Sequence, residues 1–262
     1  MAEQLARIGS WVEHLVKAHT RHGVHSPFVY RLLDEVLRNT AADPAFIGIE
    51  ELRDELLDSD QVVQVNDLGA GSRVMGRSVR RVSDIARTSV KPARQAQLLF
   101  RLAQHFAPQY VLELGTSFGL STIYLARGAG SAEVTTIEGC AQTQRIALHH
   151  FDLLAQDNIR AVLGSFRSAL PDVLRGIPSL DMAFIDGHHA EEPTVEYFEQ
   201  CLVKAHTGSV FILDDIHWSS GMERAWARIK SHPRVTVTID LYDLGLVFFR
   251  QDQAPEHFRL RY

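Results

Sequence analysis

Residues Tyr110–Thr122, YVLELGTSFGLST, decide how this chain folds. Tyr110 to Leu114 is a short apolar run broken by a single acid, Glu113. Gly115 and Gly119 bracket a tight loop, and the residues from Leu120 to Arg127 have helical spacing. The stretch therefore reads as a buried strand, a glycine turn and the start of a helix. Such a turn leaves unpaired backbone N–H groups at the helix start, where an electron-rich ligand can dock. Glycine lets a nucleotide-like ligand approach the main chain without meeting a Cβ.

Downstream of this stretch, strand and helix patterns alternate. Strands are expected at 110–114, 133–138, 159–163, 181–185 and 209–213. Helices are expected near 117–127, 140–154, 166–175, 193–204 and 221–231. That rhythm predicts parallel strands joined by right-handed helical crossovers, with both sheet faces covered. The runs 235–241 and 244–249 are separated only by Tyr242 and Asp243, too short for a crossover, so they predict an antiparallel hairpin. The expected fold is α/β: a doubly wound, seven-stranded, mostly parallel sheet whose last strand is antiparallel.

Ligands of open α/β sheets sit at the carboxyl ends of the strands. Those ends are polar here. The first carries Glu113 and the loop Gly115-Thr116-Ser117-Phe118-Gly119. The second carries Glu138 and Gly139, with Glu138 placed 23 positions after Gly115, a distance suited to a carboxylate that grips a ribose diol. The third ends at Gly164-Ser165-Phe166, where a small loop can meet an adenine edge. The fourth ends in Asp186-Gly-His188-His189, and the fifth in Asp214, Asp215 and His217. A dinucleotide turn wants G-x-G-x-x-G, but this loop is G-x-x-x-G with Ser117 at the position that would face a pyrophosphate. The cofactor expected is a nucleoside without one, and an NAD-dependent oxidoreductase is the weaker alternative.

Residues 1–91 read as a helical extension, a lid over a domain at 92–262. Leu5, Ile8, Trp11, Val12, Leu15 and Val16 recur at helical spacing, so the first helix is expected to bury that face. Ser26 before Pro27 reads as an N-cap with proline at the first helical position. His22 and His25 flank that corner; a role in satisfying its backbone is favoured over contact with substrate. GIEELRDELLDSD is an acidic helix with leucines on one side. Asp67–Arg73, DLGAGSR, resembles a nucleotide turn but lacks a matching acid about 20 residues on, so it is read as a structured loop. Seven basic residues lie between Arg73 and Arg94 against one acid, Asp84. An apolar stripe, Met75, Val79, Val82 and Ala86, makes this segment a helix with a solvated basic face, with RNA binding the minority reading.

The bulk numbers narrow the class. With 45% apolar and 23% charged residues, the chain is of ordinary globular type. A net charge of −5 gives no whole-chain attraction to nucleic acid or anionic membrane. Only Cys140 and Cys201 are present, so a reducing cytoplasm is expected rather than a disulfide framework. The N-terminus is not read as a signal peptide, and no apolar run is long enough to span a membrane.

The motifs VLELGTSFGLST, VTTIEG, AFIDGHH and VFILDDIHW, with the closing hairpin, together resemble class I S-adenosylmethionine-dependent methyltransferases. The likeness covers about Pro92 to Arg250 and is greatest to the small-molecule O-methyltransferase branch of catechol and caffeoyl-CoA enzymes. The HGVHSPF and DLGAGS elements are similar to an uncharacterised bacterial subgroup. The resemblance implies a Rossmann-like methyltransferase fold and S-adenosylmethionine as cofactor. It places the methionine part at Glu113 and Gly115, Thr116, Ser117 and Gly119. It places the ribose at Glu138 and Gly139, the adenine between Ser165 and Phe166, and Asp186 beside the cofactor. Metal-dependent members imply one divalent cation, Mg²⁺ or another, on Asp186, Asp214 and Asp215, acidifying a substrate hydroxyl. The competing reading has Asp214 or Asp215 cap the next helix. His188 or His217 is then the base, making Asp186, His188, Asp214 and His217 the catalytic candidates. The expected partner is a small hydroxylated substrate, with oligomeric state, a homodimer included, left open.

Overall fold

The computed structural model describes residues 2–65 and 79–262, with side chains from residue 9 onward except that of His22. The expected Asp67–Arg73 loop and Met75 lie outside the described residues. Two compact units emerge, Met1–Asn39 with Pro178–Tyr262, and Thr40–Ile177.

In the Thr40–Ile177 unit, helix α3 (Ile47–Asp58) buries Ile49, Leu52 and Leu56 and leaves Glu51, Asp54, Glu55 and Asp58 outward, while half-buried Glu50 accepts from the Tyr124 hydroxyl. The apolar run at 61–65 supplies strand β1 (Val62–Gln64), which pairs antiparallel with β2 (Val79–Arg81). This corrects the expected basic helix in part: among the described residues, Val79–Arg81 is a strand and Val82–Ser89 is the helix α4. Val79 is correspondingly exposed, while Val82 and Ala86 are buried. Helix α5 (Ala93–Phe106) buries a broad face including Leu98, Leu99 and Leu102, and stops at Ala107, whose left-handed backbone ends the hydrogen-bond ladder.

Strands β3 (Tyr110–Leu114), β4 (Glu133–Glu138) and β5 (Ile159–Leu163) are parallel in that spatial order. Their crossovers are α6 (Leu120–Ala129) and α7 (Ala141–Leu153), and α8 (Phe166–Gly176) follows β5. Val111 to Leu114 are all buried, as a parallel strand covered on both faces requires. The core around them gathers Phe46, Phe100, Phe118, Tyr124 and Phe151. Phe118, in the glycine loop itself, is fully buried. Such burial stabilises by about 1.5–3 kcal/mol, so the loop is anchored from within.

The second unit holds β6 (Leu180–Ile185), α9 (Glu191–Leu202), β7 (Ala205–Asp214), α10 (Ser220–Lys230), β8 (Val237–Asp240), β9 (Leu244–Phe248) and β10 (Glu256–Arg259). Their spatial order is β10-β8-β9-β7-β6. β6 and β7 are parallel, whereas β9 runs antiparallel to both β7 and β8, as the short link predicted. β10 is additional and lies parallel to β8. The mostly parallel sheet therefore has eight strands rather than seven.

The N-terminal segment of this unit starts with α1 (Ala2–Lys17). Among the described side chains the expected buried face is corrected in part: Trp11, Val12 and Val16 are 48%, 47% and 76% exposed, Leu15 is half-buried, and His14 is buried. After a 3-10 turn at Arg21–Gly23, α2 (Pro27–Leu32) opens with Ser26 accepting the Val29 N–H at 3.4 Å, the cap that Ser-Pro predicted. A π-helical turn at Leu33–Leu37 follows. Among the described residues, no helix is long and apolar enough to cross a membrane.

Candidate active site

In the Thr40–Ile177 unit the glycine turn is a strained, internally braced loop. Gly115, Ser117 and Gly119 have φ of 106°, 47° and 84°, and the first and last are glycines because side chains rarely adopt such angles. A Cβ on Gly119 would also lie 2.5 Å from the Phe151 ring. The Gly115 N–H donates to the Ile137 carbonyl at 3.0 Å, and the Gly119 N–H to the Thr116 carbonyl at 2.8 Å.

Glu113 lies beneath this loop and is fully buried. Its carboxylate accepts from Ser121 Oγ at 2.6 Å, Thr136 Oγ1 at 2.7 Å and Thr122 Oγ1. Thr116 Oγ1 and Thr136 Oγ1 share a further hydrogen bond of 2.6 Å. Burial pushes the Glu113 carboxyl up to about 7, against the hydroxyl bonds that pull it down. Glu113 and Thr116, expected at the methionine end of the cofactor, are thus enclosed as supports of the loop. The signal for these hydroxyl partners was in the sequence: an acid inside a buried strand must find donors, and Ser121, Thr122 and Thr136 are within its reach.

Glu138 behaves differently. At the tip of β4 it accepts the Ser117 N–H at 2.8 Å on Oε2 and the Cys140 N–H at 2.9 Å on Oε1. Burial raises its carboxyl, and these backbone donors oppose the shift. The carboxylate is held against the glycine loop, with the Thr143 side chain and the Gly139 N–H as further donors. Gly139, half-buried, carries the chain into α7. At the tip of β5, Ser165 caps α8 by accepting the Ser168 N–H at 3.2 Å, and half-buried Phe166 is the first residue of that helix.

In the other unit, Asp186 follows β6 and Asp214 ends β7, the latter 1% exposed. Among the described residues, Asp186, Asp214 and His189 present donor atoms within 4.8 Å of one another, and Asp215 is not in that group. His189 Nε2 lies 3.6 Å from Asp186 Oδ1, and its Nδ1 lies 3.8 Å from Asp215 Oδ2. Asp215, with φ of 53°, is turned so that it meets the outer side of His189.

His188, with φ of 67°, has Nδ1 3.5 Å from the Tyr197 hydroxyl. His217 is held between Asp240 and Glu223. Its Nε2 lies 2.9 Å from Asp240 Oδ2 and its Nδ1 3.3 Å from Glu223 Oε1, so both nitrogens are committed to carboxylates. Its pKa is raised: burial lowers it, but the two carboxylates more than offset that.

Parts of the chain are similar to known proteins. Residues 112–216 match the family described as a methyltransferase domain. The chain is 33% identical over 134 residues to a catechol O-methyltransferase of Mycobacterium tuberculosis, covering 50% of this chain and 58% of the relative. It thus spans somewhat over half the length of the curated relatives it matches. The O-methyltransferase TomG of Streptomyces achromogenes, solved with SAM, is 25% identical, with a TM-score of 0.54 over 62% of this chain and 82% of that one. An O-methyltransferase of Bacillus cereus, solved with SAH, has a TM-score of 0.57 over 83% of this chain and 94% of the other. At 20% identity that second likeness is one of fold.

Proposed function

We propose that this chain, whose residues 112–216 form a methyltransferase domain, moves a methyl group from S-adenosylmethionine to a hydroxyl oxygen of a small molecule. The observation that carries this reading is Glu138, held by the Ser117 and Cys140 N–H groups beside the Gly115–Gly119 turn. An acceptor-only carboxylate at this strand tip suits the hydroxyls of a ribose. Ser165 and Phe166 flank the adenine, and the N–H groups opening α6 face the electron-rich end of the ligand. When bound, S-adenosylmethionine supplies an electrophilic methyl on sulfur. Functionally, residues 92–262 bind the cofactor and residues 1–91 cover the substrate side.

The residues that act on the acceptor are Asp186, His189 and Asp214. Two carboxylates and an imidazole suit a divalent cation, either Mg²⁺ or a softer ion that accepts nitrogen. With a cation held there, the acceptor hydroxyl is acidified. Without a cation, His189, flanked by Asp186 and Asp215, would be placed to take the proton instead. Catalysis of a displacement at sulfonium is otherwise chiefly a matter of positioning. The substrate class is a small hydroxylated molecule, with catechols the first to try because of the relative above. The two buried free cysteines suit a cytoplasmic setting.

A methyl-transfer assay with labelled S-adenosylmethionine and a panel of catechols tests this reading. Turnover on at least one member, lost with EDTA and with Asp186→Asn, is expected. Full activity in EDTA would remove the cation, and no transfer to any hydroxylated acceptor would remove the O-methyl reading.

A further inference from the structure

We propose a second, separate metal site at His14, His217 and Asp240, which fastens helix α1 to strand β8. His14 and Asp240 are each 4% exposed. Asp240 stands between the two imidazoles and turns one oxygen to each: Oδ1 is 3.2 Å from His14 Nδ1, and Oδ2 is 2.9 Å from His217 Nε2. The three donor atoms lie within 4.8 Å of one another. Ligand atoms around a tetrahedral zinc, each about 2 Å from the ion, sit about 3.3 Å apart, so little movement is needed to admit a cation.

Two further observations point to a ligand. His14 Nδ1 is buried beside Asp240 with no aligned hydrogen bond, although its own ring is fixed from behind, Nε2 lying 3.3 Å from the Leu260 carbonyl. With Nε2 facing that carbonyl, Nδ1 is the ring nitrogen turned toward Asp240 and available to a metal. His217 is fixed in the same way, its Nδ1 3.3 Å from Glu223 Oε1. Imidazole ligands of metals commonly give their outer N–H to a carbonyl or a carboxylate, and here one does each.

The charges agree. Asp240, Glu223 and, farther off, Glu13 face Lys230 and the guanidinium of Arg259, whose Nε is 3.8 Å from Asp240 Oδ2 on a partly exposed side chain, so the acids outnumber the cations around the imidazoles. The Tyr242 ring stacks on His217 at 5.1 Å and meets His14 edge-on at 5.4 Å, walling off one side. Two imidazoles and one carboxylate suit Zn²⁺ or another late divalent transition metal, with water completing the shell. The cluster is distinct from Asp186, His189 and Asp214, and does not depend on the methyltransferase reading.

Co²⁺ titration of the metal-stripped full chain tests the site, using visible absorption and proton NMR. Intense low-symmetry Co²⁺ bands should develop on the wild type, persist in Asp186→Asn and vanish in His14→Gln with an unchanged circular dichroism spectrum. Glu223→Gln should weaken Co²⁺ binding by roughly 10–100-fold, the usual effect of losing a partner of a ligating imidazole. The Co²⁺-loaded wild type should show at least two strongly shifted, exchangeable imidazole N–H signals, from His14 Nε2–H and His217 Nδ1–H. The Asp186 cluster contains a single histidine and would give only one. One signal or none, or intense bands retained by His14→Gln, would overturn the proposal, and the NMR result stands whether or not the variants fold.

Discussion

Glu113 and Glu138 end neighbouring parallel strands and use their oxygens in opposite ways. Glu113 is shut in by three hydroxyls, whereas Glu138 is presented by two backbone amides. The cost of enclosing Glu113 is visible in its carboxyl, held up to about 7. An unfolded glutamate titrates near 4.3. A raised folded value means that the group's favourable contribution is complete below the unfolded value and is lost as pH rises through the folded one. Glu113→Gln should remove that dependence. Urea unfolding at pH 5 and pH 8 should show the variant gaining on the wild type at pH 8 by on the order of 1–3 kcal/mol; an equal gap at both pH values would contradict it. The acids and glycines of this site were legible because their spacing is local. Which acid meets the metal-type cluster was not, since the positive φ at His189 and Asp215 sets where each side chain lies, and no spacing rule encodes it.

At the scale of elements, two glycines hold the loop and its helix in place. Gly119 combines a φ of 84° with the Phe151 ring, so Gly119→Ala should lower stability by about 1–3 kcal/mol, read as a fall in Tm. Gly128 lets α6 meet α5, for a Cβ there would lie 2.3 Å from the Phe100 carbonyl oxygen. Gly128→Ala should therefore destabilise more than Ala126→Gly, a substitution whose main cost is helix propensity, about 1 kcal/mol, plus one small buried methyl. An equal or smaller loss would mean that the helices can part freely. The buried strands announced themselves through continuous apolar runs, and the Ser26-Pro27 cap through its chemistry. β10 did not: EHFR buries only Phe258 and gains its place by pairing with β8. Helix α1 misled because, among its described side chains, Trp11, Val12 and Val16 are outward while a histidine takes a buried position beside Asp240 and the Leu260 carbonyl far along the chain.

For the molecule as a whole, the sequence pattern from 110 to 249 specified an α/β fold with a reversed strand, and the added strand at 256–259 completes eight. The glycine turn and the carboxylate at the next strand tip belong to one compact unit, Thr40–Ile177, so ligand binding there should stabilise the fold by mass action. At a cofactor concentration 100 times Kd that linkage amounts to about 2.7 kcal/mol, expected to raise Tm by roughly 5–10 °C in differential scanning fluorimetry; no shift at saturation would count against cofactor binding. The most direct measurement is calorimetric titration of S-adenosylmethionine into the wild type and Glu138→Ala. Loss of two hydrogen bonds to a charged carboxylate predicts binding about 10- to 100-fold weaker in the variant, with its circular dichroism unchanged. Equal affinity in the two proteins, or no binding to the wild type, would contradict the assignment of this strand tip as the cofactor's anchor.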